Sequence, residues 1–202
     1  MTTAQDLAIV ALGATPDRSV EQGELSLALA GAEVLDLIGA KALAVEDDRI
    51  VPGAQVPTGD RLLDEAVAAL VREEPYESVE EWLWRRGRGL SSAYVDDLER
   101  VGVTERPRGR RTGLRAGRTE PVDGAAGRRA EERWAAGEPV LAALAAAAGI
   151  GAEQPDEDAP ELAGDAVTSV LAAVGDAVQE LQGVRQRRVV EDAAFDNIWR
   201  GF

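Results

Sequence analysis

Arginine side chains beside two tryptophans are the strongest candidates for chemistry in this chain. Arg85, Arg86 and Arg88 follow Trp82 and Trp84 within one short stretch. Guanidinium groups hold phosphates through paired hydrogen bonds, and an indole ring favours the headgroup depth of a bilayer. A second group of arginines alternates with glycines further along the chain. Its members are Arg106, Arg108, Arg110, Arg111, Arg115 and Arg118. Both groups predict a surface that binds an anionic partner.

These arginines form the one strongly basic part of an acidic protein. The formal net charge is −15 over 202 residues, yet residues 82–118 hold 10 arginines and 4 acids. Residues 1–81 and 119–202 carry charges of −12 and −9. Such segregation favours docking of an anionic partner at one place, with repulsion elsewhere. The alternative is a solvated basic surface that folds against its acidic neighbours.

Histidine and cysteine are absent from the chain. Their absence excludes histidine-based triads, imidazole acid–base catalysis and thiolate sites, and it removes the usual zinc ligands. The sequence also contains no Walker A, G-x-S-x-G or G-x-G-x-x-G motif. We therefore expect a protein that is not an enzyme and that uses neither a cofactor nor a metal.

Helices are expected to position the arginines. Residues 24–39 are apolar around most of a helical circumference, which is typical of a central helix. The next helix begins near Asp60 and is expected to end at Pro75. Ser78 and Glu81 have the spacing of a capping box, so the helix that carries both tryptophans begins there.

The spacing of charged and aromatic residues predicts which side chains are buried. In the central helix, Glu33 and Asp36 are expected to form a narrow polar stripe. Gly31 is either a point of close helix approach or a tolerated glycine. Trp82 and Trp84 lie two residues apart and cannot share a helix face. One of them is therefore expected in the core and the other at least partly exposed.

Two β-hairpins complete the expected elements. The acids at 46–48 are interpreted as a polar turn between two short strands, rather than as a calcium site. Ser91 or Ser92 is predicted to cap a further helix. The arginines interleaved with glycines then predict strands at about 104–111 and 113–122.

The C-terminal third is predicted to be helical on both sides of an acidic loop. Residues 151–165 hold six acids, two prolines and no base, which is typical of a loop. A long helix is expected from about 165 to 188. The fold class is therefore mainly α: a compact helical-bundle domain over residues 1–202, with one or two β-hairpins.

Four segments carry a family resemblance. They are LALAGAEVLDLIGAKALAV at 27–45, PTGDRLLDEAV at 57–67, VEEWLWRRGRGL at 79–90 and LERVGV at 98–103. In this order they resemble the Golgi phosphoprotein 3 family of phosphoinositide-binding membrane proteins. The likeness covers roughly residues 6–122, with a weaker match in the last third.

The resemblance implies a peripheral membrane protein that binds phosphatidylinositol 4-phosphate. Eukaryotic members hold the 4-phosphate in a pocket of one tryptophan and three arginines. The matching positions here are Glu21, Ala30, Arg88 and Ser91, so Arg88 alone keeps the family's residue type. The family also has a β-hairpin after the LERVGV segment that supports oligomerisation. The resemblance therefore implies that the hairpin at 104–122 joins copies of the chain.

Three functions compete on this sequence. The first is a cytoplasmic protein, peripherally associated with the cytoplasmic face of a membrane, that binds anionic phospholipid headgroups. The second is a protein–protein scaffold whose basic hairpin pairs with an acidic partner or with the acidic loop of a neighbouring copy. The third, a winged-helix-like nucleic-acid-binding module, is disfavoured because Asp96, Asp97 and Glu99 would face the phosphates. The residues assigned to lipid or anion binding are Arg85, Arg86, Arg88, Arg110, Arg111 and Arg115.

Overall fold

The computed structural model describes residues 2–14, 21–105, 120–121, 124–151 and 164–200. This part of the chain is mainly helical, which confirms the predicted fold class. Its helices are α1 (Thr3–Gly13), α2 (Gln22–Gly39), α3 (Arg61–Ala68), α4 (Val79–Arg86), α5 (Leu90–Arg100), α6 (Ala125–Ala135), α7 (Pro139–Ala147) and α8 (Asp165–Arg200). Its strands are β1 (Leu43–Glu46), β2 (Arg49–Pro52), β3 (Thr104–Glu105) and β4 (Glu120–Pro121). No helix within those ranges is long and apolar enough to span a bilayer.

The predicted central helix is α2. It packs against α1, α3, α4, α5, α7 and α8, and Leu29, Val34 and Leu37 are fully buried. Burying one such side chain contributes roughly 1.5–3 kcal/mol. Gly31 is a point of close approach, because a methyl group there would lie 2.3 Å from Cγ2 of Val174 on α8. The core therefore forms around α2, and α8 is fixed against it.

The polar stripe of α2 faces other helices instead of solvent. Glu33 is fully buried. Asp36 accepts hydrogen bonds from the backbone amides of Thr3 and Ala4 at 2.9 and 3.0 Å. Those amides begin α1 and have no acceptor within their own helix. Asp36 therefore caps α1 across the helix interface, and burial raises the pKa of its carboxyl group.

The sequence prediction for the end of α3 was wrong. The helix ends at Ala68, well before Pro75. The carbonyl of Ala69 accepts a hydrogen bond from Nη2 of Arg85 at 3.1 Å. A side chain from α4 thus satisfies a backbone group at the helix end, which no local signal in the sequence indicates.

The predicted serine cap of α5 was also wrong. The helix begins at Leu90, after Gly89, which has a φ of 72°. Ser91 lies inside the first turn, where its amide donates to Oγ of Ser26 on α2 at 3.1 Å. The start of α5 is therefore attached to α2 by a contact between distant parts of the chain.

The capping box and the first hairpin are confirmed. Oγ of Ser78 accepts from the amide of Glu81 at 3.1 Å, and Oε2 of Glu81 accepts from the amide of Ser78 at 2.8 Å. β1 and β2 pair antiparallel around Asp47 and Asp48. These two residues have φ values of 46° and 60°, which are typical of a type I′ turn.

The basic hairpin is described only at its base. β3 and β4 pair antiparallel, with Thr104 opposite Pro121 and Glu105 opposite Glu120. The rest of the predicted hairpin lies outside the described residues, as do residues 152–163 of the predicted acidic loop. The last helix, α8, extends to Arg200, beyond the predicted end near residue 188.

The prediction that Asp97 faces outward was wrong. It is buried and accepts hydrogen bonds from Nε of Arg61 at 2.7 Å and from Nη2 of Arg100 at 2.9 Å. Since its charge is balanced within the fold, Asp97 is no longer an argument against an anionic partner at this surface.

Candidate anion-binding site

A cavity of about 250 Å³ lies where the first turns of α2 and α5 meet α8. We call it the α2–α5 pocket. The lining residues that matter for binding are Gly23, Ser26, Trp84, Arg88, Ser91, Ser92 and Leu181. One basic, several hydroxyl and several apolar side chains therefore converge on one concave surface.

The turn between α4 and α5 places Arg88 at this pocket. A methyl group at Gly87 would lie 2.6 Å from the carbonyl oxygen of Leu83 and 3.3 Å from that of Ser26. Glycine thus lets the turn approach α2 closely. Arg88 is exposed and makes no ion pair or hydrogen bond with any residue that the structure describes. Its guanidinium group is available to a ligand in this part of the structure.

Two helix N-termini add partial positive charge to the pocket. The N-cap residue of α2, Glu21, makes no side-chain cap, and the N-cap of α5, Gly89, has no side chain to do so. The first turns of both helices line the pocket. Amides in a first turn lack intrahelical acceptors and favour an anion. The Ser91 amide already donates to Oγ of Ser26, so the helix charge acts there without that N–H. Arg88 therefore lies in a setting that suits a phosphate group.

Acidic side chains at the rim oppose this positive charge. Nη1 of Arg185 lies 3.3 Å from Oε2 of Glu21 and 3.3 Å from Oε1 of Glu24. Nε2 of Gln182 donates to the same Oε1 of Glu24 at 3.1 Å. An incoming anion would therefore meet the exposed carboxylate of Glu21, whereas Glu24 is buried behind it.

Arg85 is held within the fold. Its Nε and Nη2 donate to the two carboxylate oxygens of Glu77 at 2.6 and 2.7 Å. Its guanidinium carbon lies 5.1 Å from the ring centroid of Trp82, a distance that allows cation–π attraction. A phosphate would have to displace a paired carboxylate to bind here.

Arg86 belongs to a buried polar cluster. Its Nε and Nη2 donate to Glu33 at 2.7 and 2.8 Å, and Nη2 also donates to the carbonyl of Leu62 at 3.0 Å. The hydroxyl of Tyr94 donates to Glu33 at 3.1 Å. Burial raises the pKa of Glu33 and raises that of Tyr94 well above its usual value. In this arrangement Arg86 neutralises a buried carboxylate and does not reach the pocket.

The structure therefore does not bring the predicted arginines into one site. Arg88 lines the α2–α5 pocket, whereas Arg85 and Arg86 serve intramolecular ion pairs. In the sequence the three arginines look equivalent. The acidic partners of Arg85 and Arg86, Glu77 and Glu33, lie 8 and 53 residues away. Arg110, Arg111 and Arg115 lie outside the described residues, and their role in anion binding stays a prediction.

The four positions matched to the family's lipid pocket separate into two groups. Arg88 and Ser91 line the pocket, and Glu21 lies at its rim beside Gln22 and Gly23. Ala30 instead lies in the core, where its carbonyl accepts a hydrogen bond from Nε1 of Trp82 at 3.3 Å. Trp82 is thus the buried tryptophan. Trp84 is the partly buried one, as the spacing predicted.

Sequence reasoning missed the contributions of α8 to the pocket. Leu181 lines it and Arg185 lies at its rim. Both are more than 150 residues from their contacts on α2 in the chain. The sequence predicted a long helix that includes both residues, but its contact with the first turn of α2 has no local signal.

A second cavity has the opposite character. It has a volume of about 370 Å³ and lies between α8, the start of α4 and the β1–β2 turn. Four carboxylate side chains line it: Asp48, Glu80, Asp176 and Glu180. An anionic surface would be repelled from this cavity, so the electrostatic character differs between it and the α2–α5 pocket.

Comparison with known proteins gives one family. The family model described as Golgi phosphoprotein 3 (GPP34) matches residues 4–192. Curated proteins give no match to the chain. The family match thus extends through the last third, where the resemblance from sequence segments was weak, and it includes every element that forms the pocket.

Proposed function

We propose that this chain, which belongs to the Golgi phosphoprotein 3 family, is a non-catalytic protein that binds an anionic phospholipid headgroup in the α2–α5 pocket. It would thereby dock peripherally on the cytoplasmic face of a membrane. One observation carries the proposal: exposed Arg88, without a partner among the described residues, lies between the first turns of α2 and α5, whose N-cap residues make no side-chain cap. Family membership favours phosphatidylinositol 4-phosphate as the headgroup.

The side chains around Arg88 suit a phosphate monoester displayed on a bilayer. A guanidinium group forms paired, charge-assisted hydrogen bonds with phosphate oxygens. Ser91 and Ser92 line the same pocket and offer hydroxyl donors. Trp84 is partly buried, and an indole ring at a binding rim favours the headgroup region.

The basic segment at 104–122 would strengthen attachment to the surface. Each arginine near an anionic bilayer contributes about 1 kcal/mol. Arg110, Arg111 and Arg115 would therefore add salt-sensitive affinity without selecting a headgroup. Joining of copies through the same hairpin is a further part of the proposal, because two copies would present two pockets to one membrane.

Vesicle co-sedimentation tests the proposal. The vesicles contain neutral lipid, neutral lipid with a generic anionic lipid, or neutral lipid with phosphatidylinositol 4-phosphate, at low and physiological salt. The proteins are the wild type, Arg88→Gln, Arg110/Arg111/Arg115→Ala and a control, Arg187→Gln. Arg187 is exposed on α8, so its replacement changes net charge equally without touching the pocket.

We expect the wild type to bind phosphoinositide vesicles more strongly than the other two kinds. Arg88→Gln should lose that preference, whereas Arg187→Gln should keep it. The triple variant should bind all anionic vesicles more weakly. Absence of wild-type binding to any vesicle at low salt would contradict the proposal and leave a protein partner as the function to pursue.

A further inference from the structure

Arg185 on α8 has unused donors at the edge of the α2–α5 pocket. Its Nη1 contacts Glu21 and Glu24. Its Nη2 makes no hydrogen bond with any described residue and lies over Gly23, where a methyl group would be 2.8 Å away. Gly23 and Leu181 both line the pocket, and Leu181 lies one helical turn before Arg185. The guanidinium group therefore lies against the pocket wall with a free N–H.

From this arrangement we propose that Arg185 is a second phosphate-binding arginine, which stays in ion pairs with Glu21 and Glu24 until a ligand enters. The inference rests on the proposed function and concerns how the same pocket is regulated. An entering phosphate monoester would take Arg185 from the two carboxylates and bind it together with Arg88. The two glutamates thus compete with the ligand for Arg185 and lower its affinity.

The cost of the exchange differs between the two carboxylates. The side chain of Glu21 is 58% exposed, so water solvates it once Arg185 leaves. Glu24 is 10% exposed but retains its hydrogen bond from Nε2 of Gln182. The pair with Glu21 is exposed and contributes little stability, whereas the contact with buried Glu24 costs more to break. A phosphate monoester carries more charge than one carboxylate and is the stronger partner for arginine.

This geometry also explains how the pocket can work with Glu21 and Ala30 at two positions matched to the family's lipid site. Arg185 approaches from α8 instead of α2, so it supplies a guanidinium group that neither position provides. Glu21 then acts as a counter-ion that lowers affinity for anions in general. Only a ligand with enough charge and suitable geometry would displace it.

The test measures affinity for two forms of the same phosphate chemistry. One arm uses vesicles of neutral lipid with phosphatidylinositol 4-phosphate, and the other uses a water-soluble inositol phosphate. The variants are Glu21→Gln and Arg185→Gln. Their charge-matched controls are Glu80→Gln, which lines the acidic cavity and not the α2–α5 pocket, and Arg187→Gln. Arg88→Gln reports on the proposed function itself.

We expect Glu21→Gln to bind about three- to tenfold more tightly than Glu80→Gln, and Arg185→Gln to bind more weakly than Arg187→Gln by a similar factor. Equal affinities within both pairs, while Arg88→Gln still loses binding, would overturn the inference and leave the proposed function intact. Loss of wild-type binding to vesicles would instead contradict the proposed function. The same ratios in the soluble arm would assign the exchange to the phosphate alone. Ratios seen only with vesicles would assign it to phosphate displayed on a bilayer.

Discussion

Replacing Arg86 by methionine tests the buried polar cluster. Glu33 is fully buried, and two of its contacts come from Arg86 at 2.7 and 2.8 Å. Removing one partner of a buried ion pair costs about 3–5 kcal/mol, because the other charge loses its compensation. This is a large part of the roughly 5–15 kcal/mol by which a typical domain is stable. The matched control, Arg49→Met, breaks an exposed pair with Glu81 at 3.4 Å and an exposed hydrogen bond to the carbonyl of Tyr76 at 2.9 Å, and should cost about 1 kcal/mol.

The pH dependence of Arg86→Met distinguishes an unpaired charge from lost packing. Burial raises the pKa of Glu33 in the folded protein, so the folded state binds more protons than the unfolded state above the unfolded pKa of about 4.3. The Glu33 contribution to stability therefore falls as the pH rises from the unfolded pKa to the folded pKa of Glu33. Without Arg86 the folded pKa of Glu33 should rise further, so stability should keep falling up to a higher pH.

The assay is urea denaturation, followed by tryptophan fluorescence, between pH 4.5 and 8. We expect the double variant Glu33→Gln/Arg86→Met to be more stable than Arg86→Met at neutral pH, and the difference to shrink toward pH 4.5. A cost for Arg86→Met no greater than that of Arg49→Met would refute the reasoning. A difference that stays constant with pH would refute the role of the Glu33 charge.

Two further predictions concern local features of the fold. Gly31→Ala should destabilise the protein by about 1–3 kcal/mol through its clash with Val174. Gly175→Ala, where the added methyl group has nothing within 4 Å, should be neutral or stabilise α8 by up to about 1 kcal/mol. Equal shifts in melting temperature for Gly31→Ala and Gly175→Ala would contradict the close approach of α2 and α8. Ser78→Ala should cost about 0.5–2 kcal/mol by removing the cap of α4. Ser78→Asp should restore most of that stability in the same thermal denaturation, and a failure to do so would argue against capping as the cause.

The sequence predicted well the features that depend on neighbouring residues. Ser78 and Glu81 form their capping box because both partners lie in one helical turn. The hairpin turn at Asp47 and Asp48 and the different burial of Trp82 and Trp84 follow from local spacing in the same way. The apolar circumference of α2 also predicted its central place, since few arrangements bury so much surface.

The features that sequence reasoning missed depend on distant contacts. Glu33 was placed in a polar stripe because its partner, Arg86, lies 53 residues away. Ser91 was expected to cap a helix, whereas its amide binds Ser26, which is 65 residues away. The candidate site shows the same division. Arg88 was identified from its type and family position, but Arg185 lies on a helix whose contact with α2 has no local signal.

The most direct test of headgroup binding in the α2–α5 pocket is fluorine NMR of the protein labelled with 5-fluorotryptophan. The chain has four tryptophans, and Trp84→Phe and Trp134→Phe assign two of the resonances. A short-chain phosphatidylinositol 4-phosphate is added below its micelle concentration. We expect the Trp84 resonance to shift with saturation and the Trp134 resonance to stay unchanged, with no such shift in Arg88→Gln. An unchanged Trp84 resonance, or an equal shift in Arg88→Gln, would contradict binding in this pocket.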